Sequence, residues 1–562
     1  MKKLIECVPN ISEGRDSDKI KLITDVISNS EGVKLLDVDP GNATNRTVIT
    51  FVGEPEPVIE AAFELIKKAS ELIDMSKQTG EHPRFGATDV CPLVPISNIT
   101  MEETIPYAHK LGERIGKELG IPGYYYENAA KKKERKNLAF CRSGEYEGLE
   151  KLSENKWKPD FGPAKFNNSV KKTGAIAVGV RDFLVAYNIN LNTTSTRRAN
   201  SIAFDIREAG RIKRKGNKLT GEIVKDRNGE PLRVPGKLKE VKGIGWYIEE
   251  YGIAQISYNL TNISVTPVHI AFDETFKSAN SKGIRVTGSE LVGLIPLKSM
   301  LDAADYFLRK QNRSLGISES EKIKIATKSL GLDDLKPFDP KKNIIEYMIE
   351  TEDEKKLIDM NLDMFAQETA SESPAPGGGS ISAYVGALGA SLGSMVANLS
   401  ANKRGWDDNW EEYSKWAVKG QKYRESLTKL VDEDTKAFNK IMDAFGLPKN
   451  TQEEKEIRSE AIQNATKGAI ETPFKVMKEA FDSMSVMKKM AEIGLPASIS
   501  DAGVGALCAR TAVLGAFLNV KINTSGLKDE KYKLEILNKC TKIQKDTIKL
   551  EKEILDLVEA KL

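Results

Sequence analysis

The sequence predicts a multidomain protein in which two α/β (α+β sandwich-like) subdomains precede an all-α helical bundle. Its 562 residues exceed the roughly 250–300 that a single hydrophobic core supports. Before about residue 340, apolar runs of strand type alternate with amphipathic runs of helical type. Beyond Ile345 the apolar residues keep helical spacing, so the two parts of the chain are expected to differ in fold class.

The first block shows strand and helix signals in alternation. Val33–Val38 and Thr47–Val52 are apolar runs that contain β-branched residues, which favours strands. Pro57–Leu72 carries apolar residues at helical spacing. We expect an α/β or α+β subdomain here that ends near residue 180.

A second block of the same kind follows. Phe183–Leu191 predicts a long strand and Ser195–Glu208 a helix. Ile253–Leu260 and Ile263–Val268 predict further strands, and the pattern then predicts a helix from Thr287.

Polar segments interrupt and end the second block. Gly216–Gly236 contains the turn sequence Asp-Arg-Asn-Gly around Asn228, which predicts a protruding β-hairpin. Lys336–Asn343 contains two prolines, which favours a linker. The predicted domains are 1–180 and 181–330 for the two subdomains, 331–345 for the linker and 346–562 for the helical domain.

The remaining residues predict long helices. Trp416–Phe445, Glu453–Met490 and Tyr532–Leu562 have apolar residues at helical spacing. Ile381–Leu399 has no charged residue and is long enough to span a bilayer, but serines and glycines dilute its apolar character. We therefore expect a buried bundle helix there rather than a membrane span.

Composition argues against several classes of partner. The 84 basic residues nearly balance the 81 acidic ones, so no overall field favours nucleic acid or an anionic membrane. Five cysteines are scattered without CxxC spacing, which favours free thiols in a reducing compartment and gives no zinc site. The N-terminus lacks the apolar core of a signal peptide. We expect a cytoplasmic protein without a bound metal.

The three histidines can be weighed separately. His82 precedes Pro83 in a glycine-flanked loop, where it is rigidly presented, and the nearby groups that could tune it are Glu81, Arg84 and Asp89. From chemistry alone, a catalytic base and an ordinary loop histidine are equally supported. His109 is expected to be a solvated residue of a surface helix, and His269 a satisfied core or edge residue.

Other polar residues of the first half lie at predicted strand ends. Asp39 follows Val33–Val38, where ligands of open α/β sheets bind, although a turn or N-cap aspartate is the alternative. Asn10 and Arg46 occupy similar edges and suit substrate carboxylates. The basic run Lys131–Lys136 either attracts an acidic ligand or is simply a solvated face.

The helical half offers a glycine-rich entry and an acid. Ser373–Ser380 opens into a helix, so free backbone N–H groups favour an anion there, with close helix packing as the other interpretation. Asp434 shares a helix face with Leu430 and Phe438, which predicts that it points to the apolar side. Burial would raise its pKa and suit a general acid for a departing amine; a surface acid beside the core is the alternative.

Short motifs run in order along the whole chain. In the first half they are Glu6–Gly14, Asp37–Asp39, Gly80–Arg84, Asp160–Pro163 and Gly243–Tyr247. In the second half they are Ala375–Ser380 and Leu430–Asp434. Together they resemble the formimidoyltransferase-cyclodeaminase family, the bifunctional enzymes of histidine degradation.

This resemblance implies a folate cleft between two transferase subdomains, a helical cyclodeaminase domain and a homo-oligomer built from dimers. It implies that His82 is the transferase catalytic base, with Asp39 its partner, and that Asp434 is the deaminase acid. The residues that it implies for folate are Gly162, Pro163, Ala164, Lys165, Phe166 and Gly174. This segment is a few residues longer around Asn167–Lys172 than the family pattern.

The implied function has two steps. The formimino group of N-formimino-L-glutamate moves to tetrahydrofolate, with or without a polyglutamate tail, and 5-formiminotetrahydrofolate then closes to 5,10-methenyltetrahydrofolate with release of ammonia. Tetrahydrofolate is a co-substrate, and no tightly bound cofactor is expected. Two alternatives stay open: a transferase whose helical domain mainly serves oligomerisation, and a folate-binding protein without turnover.

Overall fold

The computed structural model describes residues 3–41, 45–80, 84–216, 221–349 and 356–562. By internal contacts the chain divides into two compact units, Met1–Ala303 with Thr327–Glu350 and Ala304–Ala326 with Thr351–Leu562. The sheets belong to the first unit, and long helices make up the second.

The first sheet is mixed. Its strands are β1 (Leu4–Cys7), β2 (Asn10–Ile11), β3 (Val33–Gly41), β4 (Arg46–Gly53), β5 (Thr88–Ser97), β6 (Gly123–Glu127) and β7 (Ile176–Val180). The order is β1-β4-β2-β5-β7-β6, and β3 pairs with β4. The β5–β7 and β6–β7 pairs are parallel and the others antiparallel. Residues Ile49 and Phe51 of β4 are fully buried, as β-branched and aromatic residues of a central strand should be.

Helices α1 (Ser17–Ser28), α2 (Pro55–Leu72) and α3 (Met101–Arg114) pack in series beside this sheet. Helix α2 begins with a proline. Proline has no backbone N–H, and no hydrogen bond is lost because an N–H in the first turn of a helix has no acceptor within the helix. Helix α3 begins with a capping box, in which Thr100 and Glu103 each accept the other's backbone N–H. The short helices α4 (Leu138–Cys141) and α5 (Asn168–Thr173) lie between β6 and β7 in the chain.

The second sheet is antiparallel, in the order β11-β12-β8-β13. In chain order this block comprises β8 (Val185–Leu191), α6 (Thr196–Ile206), β9 (Arg211–Ile212), β10 (Arg233–Val234), β11 (Val241–Ile248), β12 (Ile253–Leu260), α7 (Val268–Asn280) and β13 (Val286–Val292). Alternate residues of β8 and β12, such as Tyr187 and Tyr258, are fully buried, because α6 and α7 pack on that side of the sheet.

The predicted hairpin is confirmed in its described part, since 217–220 lie outside the described residues. β9 and β10 pair antiparallel. At the tip, Asp226 Oδ1 accepts the backbone N–H groups of Asn228 at 2.8 Å and Glu230 at 2.9 Å. Gly229 has a φ of 86°, which a turn of this kind requires.

The strand predicted at Ile263–Val268 is wrong. Asn262 Oδ1 accepts the backbone N–H groups of Ser264 at 2.9 Å and Val265 at 3.1 Å, which makes a turn. Pro267 then caps α7. Local side-chain hydrogen bonding therefore outweighs the β-branched composition of this stretch.

The helix predicted from Thr287 is also wrong, because Thr287 lies in β13. Ser289 and Leu291 are buried and pair with Ile189 and Tyr187 of β8. Pairing with a buried strand thus overrides the local helical pattern. The next helix, α8 (Leu297–Lys310), begins only after β13 has ended.

Residues 331–345, predicted as a linker, make specific contacts within the first unit. Asp334 Oδ2 accepts hydrogen bonds from Asn190 at 2.9 Å and Thr287 at 3.2 Å. Ile344 is fully buried and bridges to Ile295. The segment includes α10 (Pro340–Asn343) and follows α9 (Glu319–Leu330), and α11 (Ile345–Ile349) comes next. The domain bounds themselves stay predictions.

The second unit confirms the predicted helical domain. Its helices are α12 (Leu362–Thr369), α13 (Gly378–Ala401), α14 (Trp410–Gly446), α15 (Gln452–Ile493), α16 (Ile499–Thr524) and α17 (Glu530–Glu559). Helix α13 packs on α14, α15 and α16. The fold class predicted from the sequence is therefore confirmed.

Two segments of this unit, Gly378–Ala401 and Pro496–Thr524, are long and apolar enough to cross a membrane by length and composition. In their most apolar windows, 61% and 50% of the residues are buried against the rest of the protein. Core helices of a helical bundle share this composition, which is the interpretation that the packing favours.

Candidate functional site

Asn10 and Arg46, predicted to hold carboxylates, are in contact. Their strands, β2 and β4, are paired. Arg46 Nε donates to Asn10 Oδ1 at 3.0 Å, and Asn10 Nδ2 donates to Val8 O at 3.1 Å. The Asn10 side chain therefore orients the guanidinium of Arg46.

A buried carboxylate completes this cluster. Asp89 Oδ2 accepts from Arg46 Nη1 and, at 2.7 Å, from Arg142 Nη2. The Asp89 side chain is fully buried, whereas those of Arg46 and Arg142 are 12% and 17% exposed. Burial lowers the pKa of Arg46, and Asp89 opposes that effect. Arg46 and Arg142 both contact Asp89, and planar guanidinium groups are well suited to bind carboxylates.

Asp89 has one further property. Its other oxygen, Oδ1, is buried and has no hydrogen-bond partner within the described residues. Buried polar atoms of this kind are rare and mark functional positions. Arg142, which caps the short helix α4, was not predicted, because it follows no periodic or motif signal.

His82 lies outside the described residues, but the chain on both sides is anchored. On one side Asn45, the neighbour of Arg46, donates from Nδ2 to Thr79 O at 2.8 Å. On the other, Ser12 Oγ donates to Gly86 O at 2.8 Å. The loop that carries His82 therefore begins and ends beside β2 and β4.

The segment predicted to bind folate reaches the same loop. Gly162 and Lys165 are exposed, and Pro163, Ala164 and Phe166 are half-buried. The ring of Phe166 meets Tyr146 edge-on at 6.2 Å, and the Arg84 guanidinium lies 5.1 Å from the Tyr146 ring centre.

Gly174 ends this segment and bridges to Gly86. The bridge is closed by backbone hydrogen bonds from Ala175 to Phe85 O at 3.0 Å and from Ala87 to Thr173 O at 2.8 Å. The structure thus joins the predicted folate segment directly to the chain that follows His82.

Asp39 lies within β3 rather than beyond its end, because β3 continues to Gly41. It pairs with Val48, which in turn pairs with Asn10. Directly opposed residues project from the same sheet face, so Asp39 shares a face with Asn10. Asp39 is exposed, and no described contact joins its side chain to the Arg46 cluster. Its neighbour Asp37 has a raised pKa, caused by burial and by the charge of Asp39.

The motif Gly243–Tyr247 lies in β11 beside a cavity of about 540 Å³. Arg207, Lys242 and Ile244 are among the residues that line it. Glu127, at the end of β6, has a raised pKa caused by partial desolvation and the charge of Glu240, although Arg181 and Lys242 oppose the shift. Glu240 and Lys242 also line the cavity, which has the volume of a small-molecule site.

Asp434 lies midway along α14 with its carboxylate against the first turn of α13. Ser380 Oγ donates to Asp434 Oδ2 at 3.1 Å. A β-carbon at Gly379 would overlap both carboxylate oxygens. Burial raises the pKa of Asp434, and the side-chain and backbone donors of Ser380 partly oppose this. A buried acid with a raised pKa can keep its proton for a leaving group.

This contact corrects two expectations. The glycine-rich entry to α13 was predicted to bind an anion, and the anion observed there is the carboxylate of Asp434 itself. Phe438 was predicted to share the apolar side with Leu430, but it is 42% exposed while Leu430 is fully buried. Along the row formed by Leu430, Asp434 and Phe438, burial therefore decreases from Leu430 to Phe438.

The other two histidines, His109 and His269, have structural roles. His109 is not solvated as predicted: its Nε2 lies 2.9 Å from Ala129 O and its ring 4.5 Å from that of Tyr125. His269 is buried in the first turn of α7, as expected for a core residue. Burial lowers its pKa, and Asp302 and Asp273 oppose this.

The basic run Lys131–Lys136 is only partly a solvated face. Arg135 is 1% exposed, pairs with Asp160 Oδ1 and donates to Lys158 O at 2.6 Å. Asp160 Oδ2 accepts the backbone N–H of Tyr125 at 3.0 Å. The other residues of the run are exposed. In the described residues, no group of three or more His, Cys, Asp or Glu side chains could hold a metal ion.

Known protein families match residues in both units of the chain. Residues 4–181 match the formiminotransferase domain, N-terminal subdomain, 186–350 the formiminotransferase domain, and 361–542 the description formiminotransferase-cyclodeaminase.

Relatives match the whole chain and each half. A formimidoyltransferase-cyclodeaminase of Gallus gallus is 42% identical over 561 residues, 100% of this chain and 99% of that protein. A glutamate formimidoyltransferase of Thermoplasma acidophilum is 42% identical over 309 residues, 54% of this chain and 92% of that protein. A methenyltetrahydrofolate cyclohydrolase of Methylorubrum extorquens is 35% identical over 201 residues, 36% of this chain and 97% of that protein. The chain belongs to the formimidoyltransferase-cyclodeaminase family.

Proposed function

We propose that this chain is a bifunctional folate enzyme of histidine degradation. It transfers the formimino group of N-formimino-L-glutamate to tetrahydrofolate and then closes 5-formiminotetrahydrofolate to 5,10-methenyltetrahydrofolate, releasing ammonia. The observation that carries this conclusion is the 42% identity to a formimidoyltransferase-cyclodeaminase over 561 residues, which include both units.

In the transferase step, N5 of tetrahydrofolate attacks the formimino carbon while His82 accepts the N5 proton, and glutamate leaves. General-base catalysis of this kind contributes about 10²–10⁴-fold to the rate. The anchoring of both ends of the His82 loop beside Arg46 supports this role. Asp39, on the sheet face of Asn10, is its proposed partner.

The Arg46–Asp89–Arg142 cluster is the proposed site for a carboxylate of N-formiminoglutamate. Its two guanidinium groups are largely buried and both donate to Asp89, and their positive charge suits a substrate carboxylate. Planar guanidinium groups are well suited to bidentate contact with a carboxylate.

Tetrahydrofolate is a co-substrate in this scheme, and no tightly bound cofactor is proposed. Its proposed contacts are the segment that runs from Gly162, Pro163, Ala164, Lys165 and Phe166 to Gly174, whereas Asn10 and Arg46 belong to the carboxylate site. The contact of this segment with the chain after His82 supports the assignment.

In the deaminase step, N10 attacks the same carbon. The amine nitrogen takes a proton from Asp434 and leaves as ammonia with the electrons of the broken C–N bond. A general acid must hold its proton at working pH, and burial raises the pKa of Asp434 in that direction. We further propose a cytoplasmic homo-oligomer that does not bind nucleic acid or membranes.

The test mixes pure protein with N-formiminoglutamate and tetrahydrofolate and follows methenyltetrahydrofolate absorbance together with free ammonia. Both should rise in step. His82→Ala should lose the transfer, and Asp434→Asn should accumulate formiminotetrahydrofolate without ammonia. Wild-type protein that accumulates the same intermediate would retain only the transferase, with the helical domain an oligomerisation module. Binding of tetrahydrofolate without any product would favour a folate-binding protein.

A further inference from the structure

The first turn of α13 holds Asp434 through the buried hydroxyl group and the backbone N–H of Ser380. Ser380 is fully buried, and its Oγ lies 3.1 Å from Asp434 Oδ2 and 3.0 Å from Val431 O. A serine hydroxyl has a single hydrogen, so this donor is shared between the carboxylate and a carbonyl of the same helix. The Ser380 hydroxyl therefore ties the Asp434 side chain to a fixed point of α14.

Gly379 lies against the other side of the carboxylate and has no side chain there. A β-carbon at this position would come closer to Oδ1 than to Oδ2 of Asp434. The two carboxylate oxygens thus have different surroundings: Oδ2 meets a hydroxyl donor, and Oδ1 lies over a residue without a side chain.

Within the described residues, no charged side chain acts on the carboxylate of Asp434. The influences on the pKa of Asp434 from the described residues are its burial and the side-chain and backbone donors of Ser380. On its own helix, the adjacent Glu433 faces away, towards Lys475 of α15, at 3.7 Å. Helix α16 brings neutral Asn519 to the neighbouring Gly378. Ser380 is therefore the polar side chain through which the protein acts on Asp434.

We propose that Ser380 is a positioning residue of the ring-closure step, which fixes Oδ2 of Asp434 so that Oδ1, over Gly379, carries the proton to the leaving amine. This inference rests on the proposed role of Asp434 as the deaminase acid. As the C–N bond breaks, its electron pair leaves with the nitrogen, which takes the proton from Oδ1. The resulting carboxylate keeps the hydrogen bond of Ser380 and recovers a proton from water.

The experiment measures ammonia release from supplied 5-formiminotetrahydrofolate as a function of pH, with the full chain. A general acid works only while protonated, so the rate falls as pH rises through its pKa. Ser380→Ala removes a donor that favours the charged form. The falling limb should therefore move about one pH unit upward, and kcat on the plateau should fall about tenfold with little change in KM.

Ser382→Ala is the matched control. Ser382 is a buried serine in the same turn, but its Oγ donates to Gly378 O at 2.7 Å and not to Asp434. Its pH profile should equal that of the wild type. An upward shift of the same size in both variants would overturn the proposal, because loosening of the turn would then explain it.

Two further variants keep the outcome decisive. If Ser380→Ala does not fold, Ser380→Cys has a similar shape and a weaker donor, and it should move the limb in the same direction by less. Ser380→Thr retains the hydroxyl and should restore the wild-type limb. An unchanged limb in Ser380→Ala or Ser380→Cys, with Asp434→Asn inactive, refutes the positioning role alone. If Asp434→Asn still releases ammonia, the proposed acid itself is wrong.

Discussion

Gly86 and Gly174 face each other in an antiparallel bridge that leaves no room for a β-carbon on either residue. Gly174 has φ 68° and ψ −152°, a conformation that is essentially restricted to glycine. The bridge ties the end of the 162–174 segment to the chain just after His82. The bridge therefore connects the segment of the proposed folate contacts to the part of the chain that carries the proposed catalytic base.

Gly174→Ala should impair the transferase selectively. The backbone conformation would cost about 1–3 kcal/mol, and the new β-carbon would overlap Phe85 O. We expect transfer to fall at least tenfold, while ammonia release from supplied formiminotetrahydrofolate persists. Both rates are measured on the same preparation, with its melting temperature.

Gly252→Ala provides the comparison. Gly252 also has a positive φ, of 64°, but no atom lies within 4 Å of its β-carbon position. It should lose stability without losing transferase activity. Equal transfer rates in the two variants would show that the Gly86–Gly174 contact does not position the His82 loop.

The fold could be predicted from the sequence wherever local pattern and tertiary packing agree. The apolar, β-branched run Thr47–Val52 predicted β4, and helical spacing predicted α14 and α15, because in each case the local preference agrees with burial in the fold. β13 was missed because pairing with β8, distant in sequence, decides its conformation. The strand predicted at Ile263–Val268 failed because Asn262 forms a turn through its side chain.

The candidate site was predictable in part. Asn10 and Arg46 were predicted as strand-edge residues, and the pairing of β2 with β4 brings them into contact. Arg142 carried no signal of its own, and Ser380 was noted only as the end of the motif Ala375–Ser380, because each acts through a partner far away in the chain, Asp89 and Asp434 respectively. Such partnerships depend on the tertiary fold and not on spacing.

Arg135 should be essential for stability although it belongs to an exposed basic run. Arg135→Met would leave the carboxylate of Asp160 buried without its cation. Breaking a buried ion pair from one side costs about 3–5 kcal/mol. Denaturant unfolding should show a lower midpoint with an unchanged slope.

Lys133→Met tests the same run at an exposed position. Its unfolding midpoint should match that of the wild type, since surface substitutions usually change stability by less than about 0.5 kcal/mol. If both variants lose stability equally, the whole run and not the Arg135–Asp160 pair stabilises this region.

Glu6 should make the stability of the first unit depend on pH. It is 3% exposed, and burial raises its pKa to about 7, with Glu346 adding to the shift and Arg181 opposing it. The folded state thus favours the protonated carboxyl. The stabilisation is complete below the unfolded pKa of about 4.5 and is lost as pH rises towards 7.

Glu6→Gln removes this titration. Relative to the wild type it should have little effect at pH 4 and should stabilise by about 3 kcal/mol at pH 8, as measured by unfolding at each pH. Glu31→Gln, at an exposed glutamate, should show no such trend. A Glu6→Gln protein that is less stable than the wild type at pH 8 would mean that the folded state stabilises the charged carboxylate, contrary to a raised pKa.

Arg142→Lys should weaken binding of N-formiminoglutamate more than it slows chemistry. Lysine keeps the charge but loses the planar fork that contacts Asp89 and, by our proposal, the substrate carboxylate. Loss of one hydrogen bond to a charged group corresponds to about a 10- to 100-fold higher KM. Inhibition by the product glutamate should weaken by a similar factor, because glutamate keeps the carboxylates.

The control is Arg114→Lys, at an arginine of α3 that pairs with the exposed Glu60 at 2.6 Å; it should leave both constants unchanged. The substrate whose KM rises shows which ligand the cluster binds. Both KM values are needed because folate, like N-formiminoglutamate, ends in a glutamyl group with carboxylates. If Arg142→Lys raises KM for tetrahydrofolate and leaves that for N-formiminoglutamate unchanged, the cluster binds the folate tail instead. The amino-acid carboxylate must then be held elsewhere.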